Sequence, residues 1–404
     1  MGVPFEHWKI CEWAVKSIQA YKDIHNEELI TKVEFTNENS KEKMIEYLFD
    51  KGISQNYNEP MTRQQISRLS EEQLKKIIEN ILITHNLVNI QQVKGKDLEI
   101  KDTDKYDYIL TYSFPCQDLS LAGKGKGMSD TSTRSGMLWE VERILSECKE
   151  LGTLPQILLM ENVPQVHGAD NVEDFNKWQL RLEELGYKNY FQDLIATDYG
   201  IPQTRNRCFM VSILGDYSYT FPKPIPLKLK LKDMLEDNVD EKYYLSDKMI
   251  DYIYSDNNSG KYNRKLARES CDRSIEKGIA CTITTTAGNR PTDNFIKVKN
   301  NTKKGYLEAT DGDGVDISSR MEYHRGNVQK DKIQTITTSG GNDRGVIDNL
   351  RIRKLTPKEC FRLMGVKDED YENVEKNQSD SSLYHLAGDS IVVNVLMAIF
   401  KELL

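Results

Sequence analysis

Apolar residues recur with two different spacings along the first half of the chain, and these spacings predict strands separated by helices. Residues 106–114 (YDYILTYSF) and 157–160 (ILLM) are short apolar runs, the first rich in β-branched and aromatic side chains, as is typical of buried strands. Residues 14–25 instead carry apolar side chains at helical spacing. Because such segments alternate up to about residue 215, the pattern predicts an α/β domain over residues 1–215, built on a parallel sheet with crossover helices.

The rest of the chain departs from this alternation. Residues 39–90 are polar and helical in pattern, which predicts a helical insertion. The proline-rich residues 221–226 (FPKPIP) indicate a domain boundary, and the polar, threonine-rich residues 216–349 predict a second domain that is smaller and mostly β. The final part is interpreted as a hinge segment, residues 350–386, followed by an apolar helix, residues 387–404.

Composition and charge change this picture little. A chain of 404 residues is long enough for two domains, and its net charge of −8 argues against a nonspecific nucleic-acid coat but not against a local basic face that binds DNA. No apolar run approaches the roughly 20 residues of a membrane helix and no signal peptide opens the chain, so a cytoplasmic protein is expected. The seven cysteines lack the paired spacing of a zinc site or disulfide framework, so no metal site is expected.

Cys116 directly follows the strand predicted at residues 106–114, where Pro115 ends it. Open α/β sheets bind their ligands at this edge, and a cysteine there could act as a nucleophile. A free cysteine at a strand end is nevertheless more often a small buried apolar residue. The GKGKG sequence at residues 123–127 suits a mobile basic loop; a phosphate cradle is the competing interpretation, but no Walker-type GK[ST] follows.

Four further motifs follow Cys116 in order, and together with PCQ at 115–117 they resemble those of the DNA (cytosine-5) methyltransferase family. They are ENV at 161–163, QTRNR at 203–207, RKLTPKEC at 353–360 and GDS at 388–390. The segments TYSFPCQDLS, TRSGMLWEVER and LLMENV are especially similar to bacterial CpG-type members. The resemblance covers most of the chain. It implies a Rossmann-like S-adenosylmethionine-dependent methyltransferase sheet, a target-recognition domain at 216–349, and a C-terminal helix, 387–404, that packs back on the catalytic domain.

The resemblance also implies the reaction, which is methyl transfer from S-adenosyl-L-methionine to carbon 5 of cytosine in a specific double-stranded DNA sequence. Cys116 would attack carbon 6 of a base flipped out of the duplex. Glu161 would hold or protonate the ring nitrogen N3, and the arginines of QTRNR would supply positive charge. A surface glutamate is the competing interpretation, which the apolar strand before Glu161 disfavours. The predicted catalytic residues are Cys116, Glu161, Arg205 and Arg207.

The family's cofactor pocket maps onto scattered positions. Glu12 resembles the acid that binds the ribose hydroxyls, and Trp13 the neighbour that lies against adenine. Asn89 stands where the family usually has an aspartate, and Asp389 where it has an asparagine; both are departures from the pattern. The predicted cofactor-binding residues are Glu12, Trp13, Asn89, Pro115, Met137, Asp389 and Ser390.

Two similar pieces, residues 281–290 (CTITTTAGNR) and 334–344 (QTITTSGGNDR), stand out in the predicted recognition domain. Each combines a short threonine strand with a glycine–asparagine turn and an arginine, which suits contacts to DNA edges and phosphates. A plain pair of β-hairpins explains them nearly as well. The predicted substrate-binding residues are Gln117, Asn162, Val163, Gln203, Thr284, Arg290, Thr337 and Arg344.

The family begins with a strand and a glycine-rich FxGxG turn, and no FxGxG occurs before Glu12. An upstream segment or another polypeptide is therefore expected to supply this turn, and a truncated, catalytically impaired DNA-binding relative is the alternative function. A cognate restriction endonuclease is a further candidate partner, and a monomer is expected. A thiol hydrolase using Cys116 is disfavoured because none of the six histidines has a recognisable catalytic context.

Overall fold

The structure is a computed structural model that describes residues 4–25, 40–114, 137–243 and 355–404, together with five short strands between residues 295 and 354. Its central feature is a four-stranded sheet with the strand order β1-β2-β4-β3. The strands are β1 (Ile109–Ser113), β2 (Ile157–Asn162), β3 (Tyr187–Ile195) and β4 (Asn206–Leu214).

The sheet is mixed, so the predicted parallel arrangement is confirmed for β1 and β2 and is wrong for β3 and β4. Strands β1 and β2 are parallel, whereas β4 runs antiparallel to both β2 and β3. The physical reason is the connection between β3 and β4, which holds only a short 3₁₀-helix, Ala196–Tyr199. A parallel connection would need a crossover of about a dozen residues or more.

Strand β2 is buried along its whole length because helices cover both faces of the sheet. Leu158 and Met160 face a cluster formed with helices α5 (Leu138–Leu151) and α6 (Val172–Leu185). Leu159 faces the opposite cluster, which includes residues of the C-terminal helices. Since side chains alternate along a strand, Glu161 lies on the same face as Leu159. A strand buried on both sides explains the continuous apolar run from which it was predicted.

The predicted helical insertion at 39–90 contains three helices. After α1 (Val15–Ile24) come α2 (Lys41–Lys51), α3 (Arg63–Ser67) and α4 (Glu71–Ile83). Both α3 and α4 begin with a capping box, which satisfies backbone N–H groups at the helix start. Their apolar faces form a cluster of their own, with Leu48, Ile66 and Leu74 fully buried.

The C-terminal part comprises α7 (Pro357–Arg362), α8 (Asp368–Glu375), α9 (Asp380–Asp389) and α10 (Val393–Leu403). The single helix predicted at 387–404 is therefore divided, because the chain breaks out of helical conformation between Ser390 and Val392. Helix α10 packs against the sheet, since Ile399 is buried in the same cluster as Leu159.

One stretch among the described residues, Asp380–Leu403, is long and apolar enough to cross a membrane, with a mean hydropathy of 1.6. The expectation that no segment approaches this length is therefore too strong. The break after Asp389 and the burial of Leu383 and Ile399 in the protein core favour a core helix pair instead.

Short antiparallel strands represent the predicted β domain and the segment that follows it. Strand β6 (Gly314–Asp316) pairs with β7 (Val328–Gln329) and β8 (Arg344–Val346), and β5 (Phe295–Ile296) pairs with β9 (Arg353–Lys354). Arg344 begins β8, opposite Asp316. The boundaries at residues 215 and 349 stay predictions, because most of residues 244–352 lie outside the described part of the chain.

Candidate active site

Glu161 lies near the carboxyl end of β2, where three strands meet. It pairs with Ser113 of the parallel strand β1 on one side and with Phe209 of the antiparallel strand β4 on the other. Only 8% of the residue is exposed. Because β4 runs in the opposite direction, its first residues reach the same edge as the last residues of β1 and β2. The sheet topology therefore brings Glu161 and the start of β4 together.

Arg207, the second residue of β4, forms an ion pair with Glu161. Its Nε atom lies 3.0 Å from the carboxylate Oε1 of Glu161. Burial raises the pKa of Glu161, and the positive charges of Arg207 and Arg205 only partly oppose this effect. Glu161 can therefore hold a proton at a higher pH than an ordinary glutamate, which is the property expected of a proton donor at an active site.

Asn162 joins the end of β2 to the end of β1. Its Nδ2 donates a hydrogen bond to the carbonyl of Phe114 at 3.0 Å, and its Oδ1 accepts one from the backbone N–H of Val163 at 2.8 Å. The residue is 2% exposed. Asn162 was predicted to bind substrate, but here its amide is engaged by the backbone. Val163 is partly buried against the neighbouring apolar cluster.

Arg205 and Gln203 connect the same region to the C-terminal segment. The Arg205 guanidinium donates to the carbonyls of Gly388 and Ser390, at 3.0 and 2.8 Å. The Gln203 amide donates to the carbonyl of Leu363 at 2.6 Å, and Gln203 is 0% exposed. The buried Arg205 guanidinium thus holds the segment before β4 against residues 388–390. In this geometry both side chains hold the C-terminal segment, and the direct roles of Arg205 in catalysis and Gln203 in DNA contact stay predictions.

Glu12 is held in a compact hydrogen-bonded turn. Its carboxylate accepts a hydrogen bond from the backbone N–H of Ala14 at 2.7 Å, and its own N–H donates to Oδ1 of Asn86. The Asn86 side chain also donates to the Glu12 carbonyl and accepts from the N–H of Val88. The Asn86 side chain therefore holds Glu12 next to residues 86–88, which immediately precede Asn89. No motif or periodicity marks Asn86, so its role could not be predicted from the sequence.

Asp389 connects the predicted cofactor residues to the predicted catalytic residues. Its negative charge raises the pKa of both Glu12 and Glu161, although burial is the larger cause for each, so Asp389 lies within electrostatic reach of both. Its Oδ2 lies 2.9 Å from Nε2 of His385, one helical turn earlier in α9, and the Tyr57 ring packs against His385 at an interplanar angle of 40°. The spacing of four between His385 and Asp389 was readable from the sequence, whereas the approach of Tyr57 was not.

The remaining described cofactor candidates are Asn89, Trp13, Met137 and Ser390. Asn89 is buried, and its Oδ1 accepts a hydrogen bond from the N–H of Gln91 at 3.1 Å. Trp13 is partly buried against the α2–α4 cluster, and Met137 immediately precedes α5. The Ser390 hydroxyl donates to the carbonyl of Leu386 at 2.7 Å.

Several predicted site residues lie outside the part of the chain that the structure describes. They are Pro115, Cys116, Gln117, Thr284, Arg290 and Thr337. For Arg344 only the backbone pairing of β8 is described.

A family model described as the C-5 cytosine-specific DNA methylase matches residues 49–404. The chain belongs to that family. It is therefore a DNA (cytosine-5-)-methyltransferase that uses S-adenosylmethionine. The methyltransferase is 33% identical to the orphan methyltransferase M.SssI of Spiroplasma monobiae over 98% of this chain and 89% of that relative. It is 32% identical to the type II methyltransferase M2.ScrFI of Lactococcus lactis subsp. cremoris over 100% of this chain and 93% of that relative.

Solved structures show that the methyltransferase shares its fold with proteins of much lower sequence identity. The methyltransferase EhMeth of Entamoeba histolytica superposes with a TM-score of 0.53 at 16% identity, covering 99% of this chain and 100% of that one. A DNMT2 variant of Spodoptera frugiperda gives a TM-score of 0.51 at 18% identity, covering 83% and 89% of the two chains. The Rossmann-like methyltransferase sheet predicted from the sequence is thereby confirmed.

The described residues fit the cofactor. The Glu12 carboxylate and the Trp13 indole are neighbours in sequence, and both are only partly buried. A carboxylate accepts hydrogen bonds from paired hydroxyl groups, and an indole face stacks on an aromatic base. This donor set therefore suits the adenosine half of S-adenosylmethionine.

Proposed function

We propose that this methyltransferase methylates carbon 5 of cytosine through a covalent bond between Cys116 and carbon 6 of a flipped-out base in a specific double-stranded DNA sequence. The observation that carries the proposal is the Glu161–Arg207 ion pair. Glu161 pairs with Ser113 of β1 in the sheet, and Cys116 follows Ser113 by only three residues in the sequence.

The chemistry requires a nucleophile and a proton donor on the same base. The Cys116 thiolate forms a bond to carbon 6, and the displaced π electrons make carbon 5 nucleophilic. Glu161 donates a proton or a hydrogen bond to N3, which neutralises the charge that develops on the ring. After methylation, loss of the carbon 5 proton restores the double bond and releases the thiolate. The raised pKa of Glu161 supports the role of proton donor.

Arg207 supports both groups. Its guanidinium lies beside Glu161, so it can orient the carboxylate. Its positive charge can also stabilise the negative charge that Glu161 carries after donating a proton. A nearby positive charge also favours the thiolate form of a cysteine. Asn162 would help to position Cys116, because it donates a hydrogen bond to the carbonyl of Phe114, two residues before Cys116.

The cofactor site is proposed to use Glu12 for the ribose hydroxyls and Trp13 for adenine, with Asn89, Pro115, Met137, Asp389 and Ser390 completing the pocket. When bound, S-adenosylmethionine supplies an electrophilic methyl group on a sulfonium. The negative charge of Asp389 raises the pKa of both Glu12 and Glu161, less than burial does, which supports neighbouring cofactor and base sites.

Sequence specificity is proposed to reside in residues 216–349, with contacts from Thr284, Arg290, Thr337 and Arg344 and from Gln117 near the flipped base. Double-stranded DNA is the proposed substrate, the cytoplasm the proposed location, and a monomer the proposed state. A cognate restriction endonuclease is a candidate partner because one relative carries the name of a type II methyltransferase. The catalytically impaired alternative gains no support from the described site, which retains the Glu161–Arg207 pair.

Methyl transfer by cysteine variants tests the proposal. We expect Cys116→Ser to abolish incorporation of labelled methyl groups into DNA while DNA binding persists. Cys148→Ser is the matched control, since Cys148 is buried in α5, where its thiol donates a hydrogen bond to the Gly95 carbonyl. Retained methylation by the Cys116 variant would overturn the assignment of the nucleophile.

A further inference from the structure

A histidine, an aspartate and a cysteine from three different elements converge on the side of β3 and β4. They are His167, Asp193 and Cys208, and their ligand-type atoms all lie within 4.8 Å of one another. None of the three belongs to the catalytic arrangement described above. Their positions in the sequence form no short metal-binding motif, which is why the spacing of cysteines and histidines gave no sign of them.

The backbone fixes two of these residues against each other. Asp193 on β3 lies directly opposite Cys208 on β4 in the antiparallel pairing. Because the positions are cross-strand partners, their side chains share one face of the sheet at short range. The cysteine and the carboxylate are therefore presented together by rigid elements.

His167 completes the group from the opposite direction. It ends the short 3₁₀-helix Pro164–His167, which follows Asn162 and Val163 at the end of β2. Its Nε2 lies 2.9 Å from Oδ1 of Asp193, and the ring packs on Phe175 and Phe191. The side chains of His167 and Asp193 are 29% and 33% exposed, whereas Cys208 is fully buried. The three side chains are therefore packed against the protein interior on the Cys208 side, and His167 and Asp193 reach solvent.

We propose that His167, Asp193 and Cys208 bind a divalent zinc-type metal ion. Imidazole, carboxylate and thiolate are the ligands of zinc, and a mixed nitrogen, oxygen and sulfur set disfavours magnesium and calcium, which prefer oxygen alone. Because metal–ligand distances are about 2.0–2.3 Å, binding would draw ligand atoms that now lie within 4.8 Å of one another closer together. Binding displaces the Cys208 thiol proton to solvent, and water takes the fourth position.

Such an ion would hold the segment after Glu161 and Asn162 against the β3–β4 hairpin. Asn162 pairs with Cys208 in the sheet, and Arg207 immediately precedes Cys208. The ion would therefore lie behind the catalytic edge and stiffen it without touching the base or the cofactor. The proposal is independent of the catalytic mechanism, because it rests on three other side chains.

Cobalt(II) titration of the chelator-treated full chain tests the site. We expect about one equivalent to bind with a thiolate-to-cobalt charge-transfer absorption and the strong visible bands of four-coordinate cobalt, and zinc(II) to displace it. His167→Gln, Asp193→Asn and Cys208→Ser should each weaken binding by more than the roughly 10–100-fold that loss of an outer-shell partner costs. The two partly exposed positions keep the test valid if the buried Cys208 variant does not fold.

Matched controls are His85→Gln, an exposed histidine, and Cys148→Ser, a buried cysteine in α5; both should bind cobalt(II) like the unchanged chain. Absence of the charge-transfer band would overturn the proposal and leave a hydrogen-bonded cluster. A band that persists with unchanged affinity in the His167 and Asp193 variants would equally overturn it, because the metal would then be bound elsewhere.

Discussion

The Nε atom of Arg207 lies 3.0 Å from Oε1 of Glu161, and this pair joins the first residues of β4 to the last residues of β2. The contact exists because β4 runs antiparallel to β2, so that its beginning meets the carboxyl edge of the parallel pair β1–β2. A carboxyl group whose pKa is raised by burial thereby acquires a fixed orientation at the edge where Cys116 follows β1.

Replacing Glu161 by glutamine should lower the rate of methyl transfer by roughly 10²–10⁴-fold, the usual effect of losing a general acid or base. Glutamine keeps the size of the side chain, but its amide has no acidic proton to transfer to N3 of the base. Single-turnover kinetics with saturating cofactor measure the effect. A variant with an unchanged rate but a collapsed cofactor affinity would instead place Glu161 in the cofactor pocket.

The same variant should reveal the raised pKa of Glu161 in the pH dependence of stability. The native state binds this proton more tightly than the unfolded state, whose carboxyl has the ordinary value of 4.5. Its contribution to stability is therefore present below pH 4.5 and is lost as the pH rises through the native pKa. We expect the thermal midpoint of Glu161→Gln to rise relative to the unchanged chain across that window.

Glu147→Gln provides a control of opposite sign. The Gly95 N–H bound to the Glu147 carboxylate lowers the pKa of that group, so its stabilising contribution is present above pH 4.5 and is lost as the pH falls through the native pKa. The midpoint of this variant should fall relative to the unchanged chain as the pH rises through the carboxyl range. Equal trends for both variants would contradict the account of Glu161.

Asn162→Ala should slow methyl transfer without removing a group that touches the base. The change frees the Phe114 carbonyl, and misplacement of a nucleophile by about 1 Å can cost on the order of 100-fold in rate. DNA affinity should be nearly unchanged. Asn189→Ala is the control, because Asn189 also donates to a backbone carbonyl, that of Gln179, but away from the site. A larger loss of DNA affinity than of rate would support the predicted substrate-binding role of Asn162 instead.

Glu12→Gln should weaken S-adenosylmethionine binding by about 10–100-fold, since hydrogen bonds to a charged group contribute roughly 1.5–3 kcal/mol. Calorimetry measures the change directly. Glu99→Gln is a suitable control, because Glu99 is an exposed carboxylate paired with Lys9. Unchanged affinity in the Glu12 variant would remove this residue from the cofactor site.

Exchanging Thr284 to Arg290, or Thr337 to Arg344, for the corresponding segment of a relative should change which sites are methylated. Each lost base contact costs about 1–3 kcal/mol of discrimination. Bisulfite sequencing of a mixed DNA substrate gives the site profile. If neither exchange alters the profile, the threonine-rich pieces are structural hairpins rather than readers of DNA.

The parts of this fold that local patterns could predict are those with continuous apolar runs. Strands β1 and β2 were found within a few residues of their observed bounds, and Glu161 was correctly placed near the end of β2. Strand β3 was not predicted, because it lies at the sheet edge and most of its side chains are only partly buried or exposed. Its alternation is therefore weak, and the antiparallel half of the sheet was missed.

Long-range contacts account for most of the remaining differences at the site. Arg205 bonds to Gly388 and Ser390, and Gln203 bonds to Leu363, across more than 150 residues of sequence. A motif identifies such residues as a group, but it does not distinguish a side chain that contacts the base from one that holds the site together.

The most direct test of the central claim is mass spectrometry of the chain after reaction with cofactor and duplex DNA containing 5-fluorocytosine at the methylated position. Fluorine at carbon 5 prevents the proton loss that releases the enzyme, so the account predicts a stable adduct mapped by proteolysis to Cys116. The adduct should be absent in Cys116→Ser and present in Cys148→Ser. An adduct on a different residue, or efficient methylation with no covalent intermediate, would contradict the account.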